Sequence, residues 1–182
     1  GPIALMDEVG IDVGAHIMSG DLMKSFISQR EGLKVSEALL HLYKAGYSGR
    51  KNKKGFYLYD QKTGRKVRGK IDPNVYDFFG GVQSRLSFKA ADVQQRMAMA
   101  MVNEAALCLQ EGIIESPLDG DVGAVFGLGF PPFRGGPFRF VDSFGVDNVV
   151  KVMQRLQAEH GNRFAPAPIL LEYAASGKKF YP

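Results

Sequence analysis

The chain has no tryptophan, one cysteine and three histidines in 182 residues, and each scarcity removes a class of chemistry. A single cysteine, Cys108, excludes an internal disulfide framework and fits a reducing compartment. Set in AALCLQEG on a helical pattern, it reads as a small buried apolar residue. With no CxxC, no HExxH and no carboxylate cluster, the sequence offers no recognisable metal site. His16, His41 and His160 have no acid and nucleophile beside them in a catalytic arrangement, so they read as surface or interface residues. No stretch reaches about 18 uninterrupted apolar residues, and the start lacks the basic and apolar regions of a signal peptide. Neither a membrane span nor export is expected.

What is present describes a folded chain. Apolar residues make up 45%, aromatics 11% and charged residues 23%, the balance of one ordinary globular domain or two small units. The net charge of +4 conceals a local excess: Arg50, Lys51, Lys53, Lys54, Lys62, Arg65, Lys66, Arg68 and Lys70 face one acid, Asp60. A run of this kind is usually a solvated loop.

The clearest pattern is an internal repeat. GPIALMDEVGID at 1–12 returns as GPFRFVDSFGVD at 136–147, with five identical positions and five apolar exchanges. In each copy Pro suits the first turn of a short helix. Gly10 and Gly145 are expected to end that helix in the left-handed conformation, and Asp12 and Asp147 to cap the next one. Helical periodicity then runs through Val13, Ile17, Met18, Leu22 and Phe26 in the first copy, and through Val149, Val150, Met153 and Leu156 in the second. KKGFY at 53–57 and GKKFY at 177–181 close the two halves. A helix is also expected over 36–45, and a long one over about 87–112 that is apolar on nearly all sides and packed inside a bundle. KGFYLYD alternates, but is too isolated to form a sheet. The fold class is therefore all-α, as two related helical units.

Gly127 and Gly129 begin a dinucleotide fingerprint, but Pro132 stands at the third glycine position after Pro131, which removes the backbone donors that such a site needs. GRKNKKG at 49–55 lacks the spacing of a phosphate loop. Asn103 and Glu104 place polar groups in the apolar helix MAMAMVNEAALCL, so they either bond to the backbone of the glycine-rich corner or contact a ligand. AVFGLGFPPFRGG reads as a rigid, apolar, non-helical loop, suited to packing two helical units or to lining an acyl-sized groove.

GPIALMDEVGID, GRKNKKGFYLYD, MVNEAALCLQEGI and DGDVGAVFGLGFPPFRGGPFRFVDSFG, in this order, resemble the C-terminal region of the multifunctional fatty-acid β-oxidation proteins: the α subunit of the bacterial fatty-acid oxidation complex, its anaerobic-type form above all, and the mitochondrial trifunctional-protein α subunit. The resemblance implies duplicated helical domains of the 3-hydroxyacyl-CoA dehydrogenase C-terminal type (6-phosphogluconate dehydrogenase C-terminal-like). Residues 1–60 would be the remainder of a first repeat truncated at its N-terminus, 61–86 a connector, and 87–182 the second repeat. It also implies that the catalytic His/Glu pair and the Rossmann domain that binds NAD lie upstream of residue 1, with an enoyl-CoA hydratase before them. Phe126 would be the family's aromatic acyl-CoA contact, without the hydroxyl that some members carry as Tyr. Asn103 resembles the duplicate of the family's substrate-binding Asn, and the basic run at Arg50 to Lys54 would attract CoA phosphates. The implied partners are acyl-CoA, the NAD and hydratase domains of the same polypeptide and a thiolase β subunit, with no nucleic acid, in the cytoplasm of a bacterium. Two other readings stay open: a non-catalytic helical assembly role, and a polyanion-binding module using the basic segment.

Overall fold

The structure, a computed structural model, describes residues 1–81 and 87–182, so the last part of the expected 61–86 connector, 82–86, lies outside the described residues. The chain divides into two compact units, Gly1–Ser87 and Phe88–Pro182.

In the first unit, α1 (Pro2–Val9) opens on a proline at its first position, as the sequence suggests. It turns at Gly10 into α2 (Ile11–Ser19), which is followed by α3 (Asp21–Ser28) and α4 (Ala38–Lys44). The corner differs from expectation. Gly10 has φ 120 and ψ 130, a mirror-extended conformation rather than the left-handed helical one, and is itself the N-cap of α2. Asp12 therefore falls inside the first turn, where its charge complements the helix dipole, and its carboxylate accepts from Lys51. The duplicate behaves alike: Gly145 has φ 90 and ψ 124 and caps the following helix, with Asp147 in its first turn.

The stretch after α4 corrects a second expectation. Tyr57–Tyr59 (β1) pairs antiparallel with Lys66–Ile71 (β2), with Tyr57 opposite Ile71 and Tyr59 opposite Lys66. A 3-10 turn over Pro73–Phe79 follows. Asp72 caps it by accepting from the Asn74 N–H at 3.0 Å, and Val75 enters a core with Ile11, Leu42, Tyr47 and Phe56. As far as Phe79, then, the stretch expected to connect the repeats is part of the first unit. The expected apolar face of α2 and α3 also turns outward, since Val13, Ile17, Leu22 and Phe26 are all exposed.

The second unit holds α5 (Ala90–Gln110), α6 (Pro117–Leu128), α7 (Pro137–Phe144), α8 (Val146–His160) and α9 (Pro168–Ser176). Val149, Val150, Met153 and Leu156 are buried as their period requires, against Met99, Val102, Phe164 and Leu170 among others. Helix α5 is less enclosed than its composition suggests: it buries Met99, Val102, Asn103 and Ala106, whereas Val93 and Met97 are exposed.

Both units are tied by the same device. In the first, Asp7 on α1 is 1% exposed and its carboxylate accepts the N–H groups of Phe56 at 2.8 Å and Tyr57 at 3.1 Å, together with the Tyr59 hydroxyl at 2.9 Å. In the second, Asp142 at the same motif position accepts the N–H groups of Phe180 at 3.0 Å and Tyr181 at 2.9 Å. The recurrence of the Gly-Pro corner and of the Phe-Tyr pair is thus a single structural fact, a helix aspartate holding two consecutive amides of the returning chain. The second unit adds another acid. Asp121 on α6 accepts the N–H groups of Phe138 at 2.7 Å and Arg139 at 3.1 Å, and the Tyr181 hydroxyl at 2.7 Å. Glycine is required against these clamps: a Cβ on Gly49, whose φ is +82, would stand 2.3 Å from the Asp7 carbonyl oxygen.

Hydrogen bonds to a charged acceptor are worth about 1.5–3 kcal/mol each, and leaving their buried donors unpaired costs a similar amount. Asp142→Ala is therefore expected to lower stability by about 2–4 kcal/mol, with amide exchange rising within 88–182 and unchanged within 1–81. Burial first, and then the bond to Asp7, pushes the Tyr59 hydroxyl well above its ordinary 10.0. Burial and Asp121 do the same for Tyr181. Above pH 10 the unfolded chain releases protons that the native state keeps, so stability is expected to fall as pH rises past about 10. In a Tyr59→Phe/Tyr181→Phe variant, denaturation measured from pH 8 to 11 should show a shallower fall.

Candidate functional site

Helix α6 has two apolar faces with different fates. Its start is set by Ser116, whose hydroxyl accepts from the Asp119 N–H at 3.2 Å and donates to the Asp119 carboxylate at 2.6 Å, a reciprocal cap. Gly120, Asp121 and Ala124 face the unit's interior; a Cβ on Gly120 would stand 2.5 Å from the Phe138 ring, so only a glycine lets these helices approach. Leu118, Val122 and Phe126, four residues apart, lie on another face and are 59%, 49% and 86% exposed. The helix ends at Gly129, with φ 73, and Phe130 then anchors the loop in the core. Leu128 and Phe133 are also exposed, at 75% and 82%. The Arg134 guanidinium lies 5.6 Å from the Phe133 ring centroid and 6.0 Å from that of Phe140. Leu118, Val122 and Phe126 thus form one exposed apolar stripe along α6.

Phe126, singled out in the sequence, is thus fully presented on this face and has no packing role inside its unit. Leu118 and Val122 extend it, and the spacing of four between 118, 122 and 126 was the available signal. Asn103 is placed elsewhere. Its amide nitrogen donates to the Ala165 carbonyl at 2.8 Å, and its oxygen accepts the Ala167 N–H at 2.8 Å. Both amide functions therefore fasten α5 to the proline-rich turn before α9, not to the glycine-rich corner. Glu104 accepts a weak bond from the Cys108 thiol at 3.9 Å, and Cys108 is half-buried rather than buried.

Much of the basic run is bound into the fold. Arg50 pairs with Glu8 at 2.9 Å and Lys51 with Asp12 at 2.5 Å, joining the loop to α1 and α2. Lys54 donates to the Ala45 carbonyl at 2.9 Å and its ammonium stands 4.3 Å from the Tyr47 ring centroid. The pairings hold the Asp12 carboxyl below its ordinary range, chiefly through the Lys51 hydrogen bond, and the Arg50 guanidinium above its own through Glu8. The stretch 50–54 is consequently a structural tie rather than a free phosphate cradle.

His41 approaches Glu37 at 3.7 Å and His160 approaches Glu159 at 3.8 Å. His16 lines a shallow groove with Asp12, Ser19, Leu40 and Tyr43, but the Ser19 hydroxyl donates to the Ala15 carbonyl at 2.8 Å, which leaves it no role as a nucleophile. Among the described residues no group of three metal-ligating side chains converges, and no helix is long and apolar enough to cross a membrane. Gly127 and Gly129 close a helix instead of joining a strand to one, so they do not fit a dinucleotide pyrophosphate.

Comparison with known proteins agrees with this architecture. The family model described as 3-hydroxyacyl-CoA dehydrogenase, C-terminal domain, matches residues 1–59 and 93–180. The fatty acid oxidation complex subunit alpha of Shewanella amazonensis is 45% identical over 181 residues, covering all of this chain and 25% of that protein. Its counterpart in Shewanella sp. (strain MR-7) is 45% identical over 184 residues with the same coverage. The chain thus spans about a quarter of the length of the curated relatives it matches. Among solved structures, the dehydrogenase part of multifunctional enzyme 1 from C. elegans superposes with a TM-score of 0.62 at 27% identity, over 94% of this chain and 38% of that one. For 3-hydroxybutyryl-CoA dehydrogenase from Escherichia coli K12 the TM-score is 0.65 at 18% identity, over 97% of this chain and 52% of that one, a likeness of fold.

Geometry separates the two side chains that the sequence nominated. Asn103→Ala is expected to cost about 2–3 kcal/mol by leaving buried backbone groups unpaired, whereas Phe126→Ala should stay within about 0.5 kcal/mol of the parent. Urea denaturation of the two variants checks this; equal destabilisation would contradict the placement of Phe126.

Proposed function

We propose, for a chain that belongs to the 3-hydroxyacyl-CoA dehydrogenase C-terminal domain family, that it supplies the acyl-facing helical wall of an NAD-dependent 3-hydroxyacyl-CoA dehydrogenase in a fatty-acid oxidation α subunit. The observation that carries this reading is the exposed face of α6, with Phe126 at its centre. Three apolar side chains on one helical face, Leu118, Val122 and Phe126, offer the contact that an acyl chain or its thioester arm takes from a protein, and they exclude water from whatever covers them. Phe126 contributes ring area without a hydrogen bond, so the contact is apolar and does not select for a polar group.

The oxidation of the 3-hydroxyl, with NAD as hydride acceptor, belongs in this reading to groups outside the chain. No step of the hydride transfer is assigned in this reading to the chain's own residues. The NAD domain and an enoyl-CoA hydratase would lie in the same polypeptide, with a thiolase β subunit as partner, in the cytoplasm if the source is bacterial. Asn103 serves here as a fastening of α5 rather than as a substrate ligand, because both ends of its amide are engaged.

Two measurements test the reading. The isolated 182-residue chain should show no turnover of acetoacetyl-CoA with NADH; clear turnover would overturn it. In the full-length polypeptide, Phe126→Ala should raise KM for long-chain 3-hydroxyacyl-CoA roughly tenfold, equivalent to about 1.4 kcal/mol of lost apolar contact, and change the short-chain value little. Unchanged KM for every chain length would give the α6 face to another partner.

A further inference from the structure

Helix α6 carries Phe126, but few of its own residues hold it in the second unit. It has three glycines in twelve residues, and its buried residues are Asp121 and Ala124. Glycine inside a helix costs about 0.5–1 kcal/mol relative to alanine. Gly120 is needed where the helix meets Phe138, but a Cβ on Gly123 or Gly127 would meet nothing within 4 Å, so these two loosen α6 without improving its packing. The rotation of the helix about its own axis therefore depends on what Asp121 is bonded to. Rotation matters to the exposed stripe: Phe126 stands five residues on, about 140° round the axis, and a turn of about 20° moves a side-chain tip at roughly 5–6 Å radius by about 2 Å.

Asp121 is gripped from two segments of the chain. Two of its donors are the N–H groups of Phe138 and Arg139 at the start of α7, and the third is the Tyr181 hydroxyl at 2.7 Å. Tyr181 can hold the carboxylate because its own position is fixed by other contacts. Its N–H and that of Phe180 bond to Asp142 on α7. The Phe180 ring centroid lies 4.8 Å from that of Phe138 and 4.6 Å from that of Tyr173, and the Arg139 guanidinium is 3.5 Å from the Tyr181 centroid. The first unit separates this hydroxyl bond from the backbone clamp. There Asp7 holds the amides of Phe56 and Tyr57, but the hydroxyl it receives belongs to Tyr59 and not to Tyr57, the residue in Tyr181's place. In the second unit the hydroxyl reaches a second acid on a different helix, the one that bears the stripe.

We infer that Tyr181 is a positioning residue for substrate, acting through Asp121 to fix the rotation of α6 and with it the placement of Phe126 against the acyl chain. Its charge-assisted bond ties α6 to the returning chain as well as to α7, so the helix cannot turn about α7 alone. The inference rests on the reading of the α6 face as an acyl contact. Tyr181→Phe keeps the ring, the Arg139 contact and both amide bonds to Asp142, and removes the tie to Asp121 alone.

The test uses the full-length polypeptide. Tyr181→Phe is expected to raise KM for long-chain 3-hydroxyacyl-CoA about threefold, a fraction of the tenfold expected on removing the Phe126 ring, with kcat and the short-chain KM unchanged. Tyr173→Phe should leave all three unchanged. In a Phe126→Ala background Tyr181→Phe should raise KM no further, because the two residues act through one contact. Hydrogen exchange should quicken at the amides of 121–128 and stay the same in α8, which also reports that the variant is folded. Unchanged KM in Phe126→Ala would defeat the acyl-contact reading and this inference with it. If Phe126→Ala raises KM, the inference alone is overturned by a Tyr181→Phe variant with parental KM or parental exchange in α6, or by effects of the two substitutions that add in full.

Discussion

A carboxylate that receives two consecutive backbone amides, buried at Asp7 and half-buried at Asp142, organises each half of this molecule. Neither Phe56–Tyr57 nor Phe180–Tyr181 satisfies these N–H groups through an ordinary sheet ladder or helix, and buried donors must find an acceptor. A carboxylate with two oxygens meets two adjacent donors at once, so a single aspartate on a short helix determines where the returning chain lies. Because Asp7 must face inward, the rotation of α1 is settled by polarity, and Ile3, Leu5 and Val9 fall on the outside. In the second unit the same rotation holds, but α6 covers the start of α7 and buries Phe138.

The double character of α6 follows from this arrangement. Its inner face needs small residues and an acid to reach the α7 N-terminus, hence Gly120, Asp121 and Ala124. Its outer face carries Leu118, Val122 and Phe126, none of which the unit needs for its own core. The outer half of α6 therefore stays exposed, with no part in the unit's own core. The surface that supports the functional proposal is therefore held in place by the polar contacts that build the fold.

Charge tells a similar story at the basic segment. A count of Lys and Arg suggests an anion-binding loop, but Arg50 and Lys51 meet Glu8 and Asp12 some 40 residues earlier in the chain, and Lys54 lies over Tyr47. Pairs this exposed contribute little energy individually. What they do is match the loop to α1 and α2, next to the clamp, and take these cations out of the field that a polyanion would meet.

Local chemistry made several features legible in the residues alone. Proline at the first turn, glycine at the corners and the period of three to four define α1, α4, α7 and α8, and the repeated motif announces two units of one kind. Phe126 could be named from a resemblance, and the lack of a nucleotide loop from two prolines. The rest depended on contacts distant in sequence. The pairing of β1 with β2 and the folding of residues 66–79 onto the first core are decided by what Tyr57, Tyr59 and Val75 meet. Asn103 reads from sequence as a buried amide in search of a partner, and only the fold shows that Ala165 and Ala167 provide it. The outward turn of Val13, Ile17 and Leu22 is equally invisible in a helical period, because periodicity specifies that residues share a face but not which side that face takes. That choice belongs to the tertiary structure, where Asp7 and Asp142 must face the amides they hold and every other face takes the direction that remains.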